Sequence, residues 1–384
     1  MHPIIVAGSG LAGYNVAKEL RKLDKETPLT VITADSGSFY SKPMLSNALA
    51  GKKPPSAIAL NSPEQMAAQL NATVRAKTRI TAINAAAHTV SIGDEIVAYS
   101  KLVLALGADQ IRLPIAGDAA DAIITVNDLD DYGRFHTLLI EQGGKKRVAI
   151  IGAGLIGSEF ANDLVVGGHH AEVIDIATQP LGRLLPPQGG EMVRDKLKAL
   201  GVVWHFGTGT KSVDHDGAGL RVTLDNGTVI NADIVLSAVG LKPRVALAQA
   251  AGLTVNRGIV VNRHLQTSNA DVYALGDCME IEGLVMPYVM PIMHAARAVG
   301  ATLGGKLTQV SFPAMPVMVK TPACPTIVSP PAPGASGEWK VEVTDGGVKS
   351  LYVDASGKLL GFALNGAATA ERAKLAPQLP PVLA

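Results

Sequence analysis

Six glycines, in two sets of three, are the residues of this chain whose types and spacing speak most directly of chemistry. Gly8, Gly10 and Gly13 stand in GSGLAG (8–13), and Gly152, Gly154 and Gly157 in GAGLIG (152–157). A G-x-G-x-x-G turn between a strand and a helix lets the backbone come close to a pyrophosphate. The N–H groups of the helix N-terminus then supply hydrogen bonds and a partial positive charge. Each set is followed, roughly 20 residues on, by a carboxylate suited to a ribose hydroxyl: Asp35 after the first and Asp175 after the second. One such turn alone is weak evidence. Two of them, each with its acid, imply two bound dinucleotides and hydride transfer between them.

The elements that must position these residues repeat as well. PIIVA (3–7) reads as a short apolar strand, and LAGYNVAKELRKL (11–23) as a helix with Val16, Leu20 and Leu23 on one stripe. LTVIT (29–33) is a second strand that delivers Asp35. In the second copy RVAII (147–151) is the strand, LIGSEFANDLV (155–165) the helix with Ile156, Phe160 and Leu164 as its stripe, and AEVID (171–175) the strand ending in Asp175. KLVLALGA (101–108) is echoed by DIVLSAVG (233–240) as a closing strand. Far downstream, TSNADVYALGDC (267–278) holds an apolar strand that ends in Gly276 and Asp277.

Composition excludes several classes. With 384 residues, 47% of them apolar and 17% charged, and a net charge of +1, the chain should be a soluble globular protein of two or three domains. That balance offers no global attraction to nucleic acid. The start, MHPIIVAGSG, has no basic leader, so no signal peptide is expected, and without an 18-residue apolar run no membrane insertion is expected either. Cys278 and Cys324 are the only cysteines and form no CxxC. They imply neither a disulfide framework nor a metal site, each reads as a small buried residue, and the usage suits the cytoplasm.

The Gly276-Asp277 strand end, preceded by Thr267, resembles the second FAD-binding motif of two-dinucleotide flavoprotein reductases, whose aspartate binds the ribityl chain. By this resemblance the chain is identified as a member of the FAD-dependent pyridine nucleotide-disulfide oxidoreductases. The implied fold class is α/β: two Rossmann-like dinucleotide-binding domains and a small α+β C-terminal domain. The FAD domain (1–116 and 241–313) is split by an inserted NAD domain (117–240), and the C-terminal domain covers 314–384. FAD is then expected on Gly8, Ser9, Gly10, Leu11, Ala12, Gly13, Ala34, Asp35, Lys42, Pro43, Arg79, Ala105, Gly107, Gly276, Asp277 and Val289. NADH is expected on Gly152, Gly154, Leu155, Ile156, Gly157, Glu159, Asp175 and Gly240. Asp175 should favour a ribose 2′-hydroxyl over a 2′-phosphate, hence NADH over NADPH.

Relatives of the glutathione-reductase kind pass electrons to cysteines in the region that here reads FYSKPMLSN (39–47), which has none. The flavin should therefore deal directly with its acceptor. The segment is similar to that of ferredoxin- and rubredoxin-type reductases, where a basic residue before Pro-x-Leu-Ser pairs with a glutamate beyond the second glycine motif. Lys42 and Glu159 match those two positions. PAMPVMVKTPACP (313–325) looks like the corresponding stretch of NADH:rubredoxin reductases, and places Lys320 over the pyrimidine edge of the flavin. A helix beginning near Pro291 should face the same edge through Val289, with His294 packed and given no chemistry.

The resemblance implies that a hydride passes from NADH to FAD and single electrons then pass to rubredoxin, a small acidic iron protein, supplying alkane hydroxylation. Lys42, Glu159 and Lys320 are the residues expected to tune the transfer. A [2Fe–2S] ferredoxin as acceptor, or a flavin- and NADH-binding protein whose redox-dependent shape is the message, are the other readings left open. The C-terminal unit is shorter than the interface domain of dimeric disulfide reductases, so a monomer or weak dimer is expected. SLYVD and KLLGFAL, flanking Ala-Ser-Gly, should make a hairpin within it.

Overall fold

The computed structural model describes residues 2–141 and 143–384. The chain forms two compact units. One comprises Met1–Lys42, Ala57–Asp109 and Leu241–Phe312; the other comprises Pro43–Ser56, Gln110–Gly240 and Pro313–Ala384.

In the first unit a parallel sheet runs in the spatial order Val272–Ala274, Lys101–Leu104, Ile4–Ala7, Leu29–Ile32, Thr73–Arg75. Its central strands are short uninterrupted apolar runs because both faces are covered, and Ile5, Val6, Val31, Leu102 and Val103 are fully buried. Helix Leu11–Arg21 buries Tyr14, Val16, Ala17 and Leu20. Helix Val289–Leu303 crosses it at Gly300, where an added Cβ would lie 2.6 Å from the Glu19 Cβ, so only glycine permits the approach. Leu23, placed on the buried stripe by its spacing, is 60% exposed. The helix has already stopped, and the Leu23 N–H closes a tighter turn on the Leu20 carbonyl.

The second unit repeats the plan with a parallel sheet ordered Val203–Phe206, His170–Asp175, Arg147–Ile151, Ile234–Ser237. Helix Leu155–Val166 buries Phe160 and Leu164, and Phe160 meets Phe135 of helix Leu129–Ile140 edge to face at 5.7 Å. Each such side chain contributes about 1.5–3 kcal/mol by leaving water. Ile156, assigned to the same stripe, is 41% exposed because it sits in the first turn, beside the glycine loop. A five-stranded antiparallel sheet completes the unit in the order Val317–Val319, Thr326–Ser329, Leu359–Gly366, Gly347–Val353, Glu338–Thr344. Its core gathers Ile327, Phe362, Leu364, Leu375 and Leu379. The hairpin expected around Ala-Ser-Gly is the antiparallel pair Gly347–Val353 and Leu359–Gly366.

Candidate functional site

The three glycines of each motif do three different jobs, and the same three in both copies. Gly8 and Gly152 come first, with φ of +116° and +105°; a Cβ on them would stand 2.3 Å from the Ala105 carbonyl oxygen and 2.8 Å from that of Ala238. They make the tight turn off the strand. Gly13 and Gly157 come last, and a Cβ there would stand 1.9 and 1.8 Å from the carbonyl oxygens of Gly8 and Gly152. They let helix and strand close together. Neither reason applies to the middle pair. Gly10 and Gly154 have ordinary φ values of −64° and −72°, and a Cβ on either meets nothing within 4 Å.

A glycine that neither conformation nor packing requires keeps space open for something outside the chain. Gly10 and Gly154 are also the N-caps of their helices, with no side-chain cap and no acidic residue in the first turn. The first-turn N–H groups therefore look for an acceptor that the local sequence does not supply. A dinucleotide pyrophosphate fits both cradles.

The two acids behave alike. Asp35 Oδ1 accepts from Ser9 Oγ at 2.7 Å, Thr33 Oγ1 at 2.8 Å and the Gly37 N–H at 2.8 Å. Its Oδ2 accepts from none of the described residues. Asp175 accepts from the Ala153 N–H through Oδ2 at 2.5 Å and from the Ala177 N–H through Oδ1 at 2.7 Å. Each carboxylate thus braces its own glycine turn as well as facing the end of the strand, a second role that spacing alone did not disclose.

The other residues expected at the two sites come from distant parts of the chain. Gly276, at φ +78°, brings Asp277 up to the glycine helix, since a Cβ on it would sit 2.9 Å from the Ala12 Cβ. Lys42 Nζ lies 3.7 Å from Asp277 Oδ2. Gly107 has φ +72° beside Leu106, whose carbonyl accepts from Arg244. Val289 opens a helix whose N-cap, Tyr288, makes no side-chain cap bond. Ala34 and Arg79 are exposed, Pro43 is half-buried in the other unit's segment, and Gly240 is exposed with φ +115°.

Glu159 is a buried carboxylate of the second unit, 3% exposed. Ser46 Oγ donates to its Oε2 at 2.6 Å, the Lys320 N–H donates to Oε1 at 2.9 Å, and the Lys320 ammonium is ion-paired with Oε2. The resemblance had matched Glu159 with Lys42. Lys42 belongs to the other unit, and the cation on Glu159 within its own unit is Lys320, drawn in because its main chain is bound by the same carboxylate. Ser46, Asn162 and Asp163 were missed. The signal for the last two is a polar E-x-x-N-D run inside an otherwise apolar helix.

Both cysteines are buried and unpaired. Burial pushes the Cys278 thiol up to about 11, and raises that of Cys324 as well. Neither has the depressed pKa of a reactive thiolate.

The fold and cradles define a protein that holds two dinucleotides. Residues 2–301 match the model of the pyridine nucleotide-disulphide oxidoreductases, and the chain belongs to that family. Residues 309–379 match the model described as a rubredoxin binding C-terminal domain. The chain is 48% identical to a rubredoxin-NAD(+) reductase of Alcanivorax borkumensis over 100% of both chains. It is 46% identical to the rubredoxin-NAD(+) reductase of Acinetobacter baylyi over 99% of both. Among solved structures, the covalent putidaredoxin reductase–putidaredoxin complex superposes with a TM-score of 0.87 at 26% identity, covering 99% of this chain and 94% of that one.

Proposed function

We propose that this protein carries electrons from NADH through FAD to rubredoxin. The observation that carries the reading is the pairing, on one chain, of two dinucleotide cradles with a C-terminal segment of the rubredoxin-binding type. When bound, FAD accepts two electrons from a nicotinamide and yields them one at a time, the exchange a single-iron acceptor requires.

The chain's own residues supply position and charge. The first cradle would hold the FAD pyrophosphate on its helix N–H groups, with Asp35 serving a ribose hydroxyl and Asp277 the ribityl chain. The second holds NADH in the same way, and the Asp175 carboxylate repels a 2′-phosphate. Glu159 orients the nicotinamide. Lys320 compensates its buried charge, without which a carboxylate this enclosed would be costly. Lys42, through Asp277, sets the charge on the flavin side. Neither buried thiol is suited to relay electrons, so the chain would place no carrier of its own between the flavin and the acceptor.

The reduced rubredoxin serves alkane hydroxylation, and the protein works in the cytoplasm, where the NADH pool lies, as a monomer or weak dimer. No described helix is long and apolar enough to cross a membrane. A second reading, a [2Fe–2S] ferredoxin as acceptor, draws on the likeness to putidaredoxin reductase. The test is anaerobic, steady-state NADH oxidation by the FAD-loaded protein with and without rubredoxin. Oxidation that depends on and saturates with rubredoxin is expected; NADH consumption indifferent to rubredoxin would overturn the reading.

A further inference from the structure

Helix Leu155–Val166 lies among apolar side chains, yet carries buried polar ones at i, i+3 and i+4: Glu159, Asn162 and Asp163, exposed by 3%, 1% and 1%. Only Glu159 has a place in the chemistry above. The other two bind main chain. Asp163 accepts from the Ala50 N–H at 2.8 Å and the Leu49 N–H at 3.0 Å, and Asn162 Oδ1 accepts from the Ala323 N–H at 3.1 Å. Leu49 and Ala50 lie just beyond Ser46, and Ala323 just beyond Lys320. The helix therefore grips each of these two segments twice, once through a side chain on Glu159 and once through backbone amides.

Packing alone does not call for a charge at Asp163. Burial pushes its carboxyl above the usual range, and the amides of Ala50, Leu49 and Ala48, with Lys320, act in the opposite direction. An apolar side chain would occupy the position without that desolvation. The carboxylate stands where it clasps residues 43–56, a stretch grouped with this helix although the chain on either side of it belongs to the other unit.

We propose that Asp163 and Asn162 are positioning residues for Glu159. Asp163 fixes the 46–50 segment so that the Ser46 hydroxyl stays on the Glu159 carboxylate, and Asn162 fixes 320–323 so that Lys320 does. The inference rests on the reading of Glu159 as the group that orients the nicotinamide.

Amide hydrogen exchange on the FAD-loaded protein tests it, comparing wild type with Asp163→Ala and with Asp163→Asn, which keeps shape and one acceptor oxygen should the alanine variant not fold. Exchange should accelerate by about tenfold or more at Leu49 and Ala50, where the bonds are lost. It should also accelerate at Lys320, whose N–H reports the placement of Glu159, while the amides of strand Arg147–Ile151 keep their wild-type rates. Acceleration confined to Leu49 and Ala50 would overturn the proposal, and so would uniform acceleration that includes the strand. A double-mutant cycle on flavin reduction by NADH gives a second readout. Asp163→Asn should slow reduction in the wild-type background and add nothing to Glu159→Gln; losses that multiply would mean independent action and sink the inference. A wild-type rate for Glu159→Gln alone would instead remove the role given to Glu159, with the exchange at Lys320 still deciding whether Asp163 positions it.

Discussion

Gly154 and Gly157 are three residues apart in one turn of one helix, and alanine at each should fail in opposite ways. At Gly157 the new Cβ would stand 1.8 Å from the Gly152 carbonyl oxygen, a contact no rotamer relieves because both atoms are fixed to backbone. Helix and strand must separate. The cost is that of overpacking a tight site, about 1–3 kcal/mol or more, which lowers the Tm by several degrees. At Gly154 the new Cβ meets nothing within 4 Å and the backbone φ of −72° suits any residue. Stability should therefore fall by no more than about 1 kcal/mol, the difference between glycine and alanine at an N-cap. The methyl group nevertheless stands where a pyrophosphate would approach the helix N-terminus. Losing one or two charge-assisted hydrogen bonds there, about 1.5–3 kcal/mol, weakens nucleotide binding by roughly 10- to 150-fold. Thermal unfolding and calorimetric titration with NAD+ on the two purified variants measure both quantities. A Gly154→Ala protein that binds nucleotide like the wild type would refute the assignment of this turn to the pyrophosphate.

Further outcomes follow from the same geometry. Asp175→Ala should raise the NADPH-to-NADH ratio of kcat/KM by about tenfold as the repelling charge is lost, and should weaken both nucleotides because the Ala153 N–H loses its acceptor. Lys320→Met leaves the buried Glu159 without its cation and should destabilise by about 2–4 kcal/mol, with the added Glu159→Gln recovering most of it; urea unfolding of the single and double variants reads the coupling. The Cys278 thiol, pushed by burial to about 11, should resist iodoacetamide in the native protein at pH 9 and react once unfolded. Because folding raises that pKa above the ordinary 9.0, its contribution to stability is complete below pH 9 and is lost between pH 9 and 11, about 2–3 kcal/mol in a pH series of unfolding curves.

The glycine turns were legible in the sequence because each role is local: a positive φ, a close carbonyl and an open space all arise within a few residues of one strand–turn–helix. The doubled parallel sheets followed from the same repeat. The surroundings of Glu159 were not legible, since Ser46 lies 113 residues away and Lys320 161 residues away, and no local pattern announces which carboxylate will meet which cation. The assignment of residues 43–56 to the second unit lacks a sequence signal for the same reason. Leu23 and Ile156 were misplaced because helical periodicity carries no information about where the helix passes the edge of what it covers. Asn162 and Asp163 could have been found: two polar residues, one of them acidic, at i+3 and i+4 from a glutamate inside an apolar helix ask where their partners are.

The central claim, direct passage of electrons from a reduced flavin to rubredoxin, is tested most directly by single-turnover mixing. The FAD-loaded protein, reduced anaerobically with one equivalent of NADH, is mixed separately with oxidised rubredoxin and with a [2Fe–2S] ferredoxin, each at low and high salt. Fast reduction of rubredoxin, with ferredoxin reduced far more slowly at either salt concentration, is the predicted result. Ferredoxin reduced as fast as or faster than rubredoxin would contradict it.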